Sequence, residues 1–165
     1  MPLSPSSNAA SVRPVALVTG AALRIGRVIA LELAGHGFDL AIHTRHDLDA
    51  AQETGALARA LGAQAQVFVA DLSDEAACRA LLPEVAAALG RVDAVVNNAS
   101  VFQYDDAATA ASAAMDLHWR VNTAAPVLLA QALADHVAAR TGTGCVVNLL
   151  DQKLWNQNPD FMSYT

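Results

Sequence analysis

The chain has 165 residues, of which 54% are hydrophobic and 16% charged, and its formal net charge is −6. That length suits one domain with a real core. The acidic balance, with no basic run, argues against nucleic acid as a partner, and no apolar segment approaches a membrane-spanning length.

Residues 1–13 hold Pro, Ser and Asn without an apolar signal core. They predict a flexible tail ahead of a folded domain over 14–165. In chain order, strands are expected over 15–19, 38–43, 66–69, 92–96 and 145–150, and helices over 24–35, 48–61, 74–89, 109–122 and 125–140. The strands are nearly continuous apolar runs, as a sheet buried on both faces requires. Strict alternation with helices implies right-handed crossovers and an α/β fold with a doubly wound parallel sheet. Gly35-His36-Gly37 closes the first helix, and Ser73 or Asp74 caps the third. Pro126 fits a first helical turn, where its missing N–H costs nothing. No repeat, linker or second domain is visible. Cys78 and Cys145 lack disulfide or metal spacing and read as buried thiols, so a cytoplasmic protein without a bound metal is expected. His118 and His136 have no ligand partner at helical spacing and read as surface or packed histidines.

Between the first strand and helix runs Thr19-Gly-Ala-Ala-Leu-Arg-Ile-Gly26. Gly20 can take backbone angles closed to other residues, and Gly26 lets helix and strand approach closely. Free N–H groups at the following helix start suit a pyrophosphate. In a doubly wound sheet the ligand crevice lies beyond the carboxyl ends of the strands. His43-Thr44-Arg45-His46, Asp71-Leu72, Asn97-Asn98-Ala99-Ser100 and Asp151 each follow a predicted strand there.

The run Thr19 to Gly26, Asn97 to Ser100, Asn122, and Asp151 thirteen residues before Tyr164 together resemble the short-chain dehydrogenase/reductase family over about residues 14–165. Within that family the likeness is to pteridine reductases. These carry Arg where most members have a middle glycine, here Arg24, and Asp where most have the catalytic serine, here Asp151. They also carry Asn-Asn-Ala-Ser-x-Phe, here Asn97 to Phe102. The resemblance implies a Rossmann-type fold and NADPH-dependent hydride transfer to a pterin- or folate-like substrate. It places Gly20, Arg24, Ile25 and Gly26 at the pyrophosphate, and Asp71 and Leu72 at the adenine. It places Asn98, Ala99 and Ser100 beside the nicotinamide ribose. It makes Phe102 one face of an aromatic clamp on the pterin, with Arg24, Asp151 and Tyr164 also on the substrate side. It has Asn122 interrupt its helix and anchor a relay water.

Plainer readings stand beside these. Arg24 can be a solvated helix-start residue, Asp71 and Asp151 turn aspartates, Asn98 a loop brace, and Phe102 and Tyr164 core aromatics. NAD-selective folds place an acid after the second strand, and NADP-selective ones a base. No acid precedes Asp47, so NADPH is expected, with His43, Arg45 and His46 as candidate contacts. Whether Arg45 or His46 meets the 2′-phosphate stays open.

An aspartate in place of serine suits a ring nitrogen or amino group better than a ketone oxygen. Tyr164 can deliver a proton if a cation lowers its pKa. In the family that cation is a lysine four residues on, a position past Thr165, and Lys153 lies eleven residues before the tyrosine. The chain is therefore expected to be a piece of a longer reductase, inactive by itself. The alternatives are a carbonyl reductase of the same family and a non-catalytic NADPH-binding sensor or interaction protein. The resemblance implies a homo-oligomer, dimer or tetramer, assembled through the helices over 109–140; the alanine-rich 125–139 stretch suits such an apolar face and equally suits burial within the monomer.

Overall fold

The computed structural model describes residues 12–157 and 159–165. Residues 1–11 of the expected tail lie outside the described residues. Arg13 reaches back into the fold: its guanidinium pairs with Asp39 at 3.0 Å and donates to the Ala34 and Phe38 carbonyls at 3.1 Å each.

Five strands form one parallel sheet: β1 (Val15–Val18), β2 (Asp39–Thr44), β3 (Ala65–Val69), β4 (Ala94–Asn97) and β5 (Cys145–Asn148). Their spatial order is β3-β2-β1-β4-β5, so the chain reverses direction across the sheet between β1 and β4. In register, Leu17 of β1 stands between Ala41 of β2 and Val95 of β4. Helices fill the crossovers: α1 (Arg24–Gly35), α2 (Leu48–Ala60), α3 (Glu75–Leu89), α4 (Ser112–Trp119) and α5 (Ala125–Ala139).

The period-two alternation of strands splits the core into two layers. Val15, Leu17 and Val95 pack with Leu81, Val85, Leu129 and Leu133 of α3 and α5. Ala16, Val18, Leu40 and Ile42 pack with Ala30, Ala34, Ala51 and Ala58 of α1 and α2. The second layer is built on alanines, which let α1 and α2 lie close to the sheet. Among the described residues no helix is long and apolar enough to cross a membrane.

The sheet agrees with the expected doubly wound α/β class, and its boundaries differ locally. Helix 109–122 is shorter than its apolar pattern suggests: α4 ends at Trp119, and a π-helical turn, Arg120–Ala124, carries the chain into α5. Pro126 sits in the first turn of α5. Asp74, not Ser73, caps α3 by accepting from the Ala76 N–H. The strands are not uniformly buried: β1 and β2 are enclosed, whereas all four residues of the edge strand β5 are exposed. Cys145 is therefore exposed, against expectation. Cys78 is buried, and burial pushes its thiol up to about 11.

Candidate functional site

The carboxyl ends of the strands open onto a cleft of about 620 Å³. Its floor is the turn between β1 and α1. Gly20 has φ 63°, in the left-handed region, and a side chain there would press on Ala99. A Cβ on Gly26 would overlap the Gly20 carbonyl oxygen and stand 2.6 Å from the Asn98 amide nitrogen. Both glycines are thus required by close approach.

The turn is held from three sides. The buried Thr19 hydroxyl accepts the Asn98 and Ala99 N–H groups at 3.0 Å each and donates to the Val96 carbonyl at 3.3 Å. The Asn98 amide donates back to the Thr19 and Gly20 carbonyls at 2.8 and 3.1 Å. Arg27 and Thr54 both donate to the Ala22 carbonyl, at 3.1 and 2.9 Å.

The α1 start faces this cleft. Asp47 and Asp74 cap α2 and α3, but α1 has no side-chain cap and no acidic residue in its first turn. Its first N–H groups are left for an anion. Arg24 opens the helix with φ 53°, a left-handed conformation in a residue that carries a Cβ.

At one end, Arg45, His46, Asp71 and Leu72 line the cleft. Asp71 closes a local turn: its Oδ1 accepts the Ser73 N–H at 2.9 Å and the Ser73 hydroxyl at 2.7 Å. Those two bonds hold its carboxyl below the usual range, with Arg45 and His46 adding attraction.

His43 requires a revised role. It lines the cleft but is only 2% exposed, and both ring nitrogens are engaged. The Gly20 N–H donates to Nδ1 at 3.2 Å, so the proton sits on Nε2 and is donated to the Ala70 carbonyl at 3.0 Å. Burial pushes its pKa below the ordinary histidine value. A neutral ring with no free nitrogen cannot serve as a basic phosphate contact; it braces the glycine turn instead.

At the other end, Ser100, Phe102, Asp151 and Tyr164 line the cleft. The Tyr164 hydroxyl donates to Asp151 Oδ2 at 3.1 Å. Burial, and next the Asp151 carboxylate, push the tyrosine pKa above its ordinary value. The Lys153 ammonium lies 5.2 Å over the Phe161 ring and donates to the Asp160 carbonyl. Phe102 stacks on Phe161, with centroids 4.0 Å apart and planes 11° from parallel, and meets Tyr164 edge-on at 4.8 Å.

Asn122 is the one predicted catalytic residue outside the cleft lining. It sits in the π-helical turn, where the resemblance placed a helix interruption, and its amide pairs with one residue of the loop after β4. Oδ1 accepts the Val101 N–H and Nδ2 donates to the Val101 carbonyl, both at 2.8 Å. Asn97 pairs across the sheet with Asn148 at 2.8 Å. Sequence reasoning missed Phe161, which covers one face of Phe102, and the bracing roles of Thr19, Arg27 and Thr54. An aromatic three residues before Tyr164 was the available signal for Phe161.

The family model for short chain dehydrogenase matches residues 14–165. The FolM alternative dihydrofolate reductase 1 of Brucella canis, complexed with NADP, is similar in structure. Its TM-score is 0.86 at 37% identity, covering 93% of this chain and 60% of that one. The FolM protein of Brucella suis, also in complex with NADP, gives a TM-score of 0.85 at 38% identity, covering 92% and 63%. Hydroxynaphthalene reductase of Aspergillus fumigatus is 35% identical over 123 residues, 74% of this chain and 45% of the fungal enzyme. The chain thus spans less than two thirds of each of these relatives. With its glycine turn, parallel sheet and matched span, the chain belongs to the short chain dehydrogenase family.

Proposed function

We propose that residues 14–165 form an NADPH-binding domain of a reductase acting on a pterin- or folate-like substrate. The observation that carries the reading is the continuity of one cleft. It joins the uncapped α1 start and the basic Arg45 and His46 at one end to Asp151, Tyr164 and Phe102 at the other. The glycine cradle suits a pyrophosphate, because any side chain at Gly26 would fill it. Arg24 and the α1 N–H groups would hold the phosphates, and Arg45 or His46 the 2′-phosphate. Asp71 spends Oδ1 on its turn and would offer Oδ2 to the adenine amino group, with Leu72 beside the ring. Asn98, Ala99 and Ser100 would flank the nicotinamide ribose.

When bound, NADPH supplies the hydride. Phe102 gives a flat heteroaromatic ring a wall to stack on. Asp151 accepts an N–H or amino donor, which a pterin presents and a ketone does not. Tyr164 holds a proton on its hydroxyl, ready for the ring nitrogen beside the reduced carbon. Asn122 acts by fixing the loop that carries Phe102, through its paired bonds to Val101. The two Brucella neighbours bear dihydrofolate reductase names and NADP, which supports this substrate class. The likeness to hydroxynaphthalene reductase supports a second reading, a carbonyl reductase. Exposed Met115, Trp119 and Val127 offer an apolar face for a homo-oligomer.

The test is NADPH consumption by the protein as its host makes it, with a dihydropterin or a ketone as acceptor. Turnover of the dihydropterin, lowered about 100-fold or more by Asp151→Ala and by Tyr164→Phe, is expected. Unchanged turnover in both variants, or ketones reduced while pterins are ignored, would sink the assignment.

A further inference from the structure

Outside the cleft lining, three polar residues from distant parts of the chain meet behind Tyr164. His118, in the last turn of α4, is 3% exposed, and Asp105, in the loop after β4, is 6% exposed. Ser163 immediately precedes the tyrosine. His118 and Asn122 are four residues apart and grip the same loop: His118 Nε2 accepts the Gln103 N–H at 3.2 Å, as Asn122 accepts that of Val101. Phe102 lies between the two anchored residues.

Because Nε2 is an acceptor, the neutral ring carries its proton on Nδ1. Nδ1 stands 3.0 Å from the Ser163 hydroxyl and donates to it. The Asp105 carboxylate accepts the Ser163 N–H at 3.0 Å, and the Asp105 carbonyl accepts the Phe161 N–H at 2.7 Å. The Ser163 hydroxyl, with its N–H, holds the Asp105 carboxyl below the usual range. These residue types are those of a hydrolytic triad, but the order is wrong. Serine lies between the other two, and the ring nitrogen facing it already carries a proton, so the imidazole cannot act as its base. The cluster is a clamp, not a nucleophile.

We propose that His118 and Ser163 are positioning residues, and that the Asp105–Ser163–His118 chain fixes Tyr164 against Asp151 and Phe102. Its catalytic consequence rests on Tyr164 being a reacting group, as proposed above; its geometry does not. The Tyr164 ring meets His118 edge-on at 5.8 Å, and its hydroxyl donates to Asp151. Release of residue 163 would free the tyrosine from both.

The test reads Tyr164 without turnover. In the 165-residue chain with Tyr104→Phe, Tyr164 is the one remaining tyrosine, and phenolate absorbance follows its titration. The parent should titrate above an ordinary tyrosine. Ser163→Ala should shift the midpoint down toward the ordinary value, and Ser163→Thr, which keeps the hydroxyl, should restore it. Nitrogen NMR of the unaltered chain should show His118 protonated on Nδ1. An unchanged midpoint in a folded Ser163→Ala variant would overturn the proposal. So would an Nε2-protonated His118 in the unaltered chain, a result that holds even if the variant fails to fold. If the shifts appear while Tyr164→Phe leaves turnover intact, the clamp stands and the catalytic reading of Tyr164 falls.

Discussion

Arg24 shows the conflict between backbone and function at a single residue. Its left-handed φ of 53° costs a residue with a Cβ about 1–2 kcal/mol relative to an ordinary helical start. Glycine would remove that strain at an entropic cost of about 0.5–1 kcal/mol. Arg24→Gly should therefore unfold in urea within about 1 kcal/mol of the parent and be more stable than Arg24→Ala, which keeps the strain. Both should bind NADPH more weakly, since both lose the guanidinium. An Arg24→Gly variant less stable than Arg24→Ala would show that backbone strain does not govern stability at this position. The glycines are legible in sequence because each answers a local backbone demand, whereas Arg24 opposes that demand and was placed by the resemblance. The bracing role of His43 was not legible: read as the last residue of its strand, it looked available to the cofactor. The strand runs on to Thr44, which puts His43 inside β2 with its ring against Gly20. Asp71 was legible as a turn aspartate or a ligand contact, and its bonds to Ser73 establish the turn.

Among the elements, the N-terminal end of the sheet depends on Asp93. Its carboxylate accepts from the Val15 N–H at 2.9 Å, from Arg91 at 2.6 and 2.7 Å and from Arg140 at 2.6 Å, joining β1 to the end of α5. Burial pushes the Asp93 carboxyl up, but these donors outweigh it and leave the pKa below the ordinary value. A depressed folded pKa contributes stability above the unfolded value of about 3.9 and loses it as pH falls through the folded value. Asp93→Asn should thus cost about 2–3 kcal/mol at neutral pH, and the gap should close as pH drops below about 4. A gap that stays constant with pH would mean that charge does not matter there. Periodicity located every strand and helix to within a few residues, because strand and helix periods differ strongly. Periodicity alone did not show the π-helical turn, since the apolar pattern runs on through Val121; the resemblance placed the interruption at Asn122, and its reciprocal pairing with Val101 accompanies it. β5 carries the same kind of apolar run as the enclosed strands and lies at the edge of the sheet that the described residues form.

The whole molecule places its chemistry where strand order reverses. β1 and β4 diverge into opposite crossovers, and the turns after β1, β2, β3, β4 and β5 all reach one cleft. That convergence was legible, because each polar motif followed an apolar strand. The enclosure of Phe102 by Phe161 was not, since it depends on a loop folding back from beyond β5. The central claim is that this cleft is a dinucleotide site selective for the 2′-phosphate. A fluorescence titration of the chain with NADPH and with NADH tests it most directly, with Arg45→Ala, His46→Ala and the double variant alongside. Charge-assisted bonds to the phosphate are worth about 1.5–3 kcal/mol, so NADPH should bind about tenfold or more tighter than NADH. Removing the contacting base should erase that preference while leaving NADH binding unchanged. Equal or tighter binding of NADH by the unaltered chain, or binding of neither nucleotide, would contradict the account.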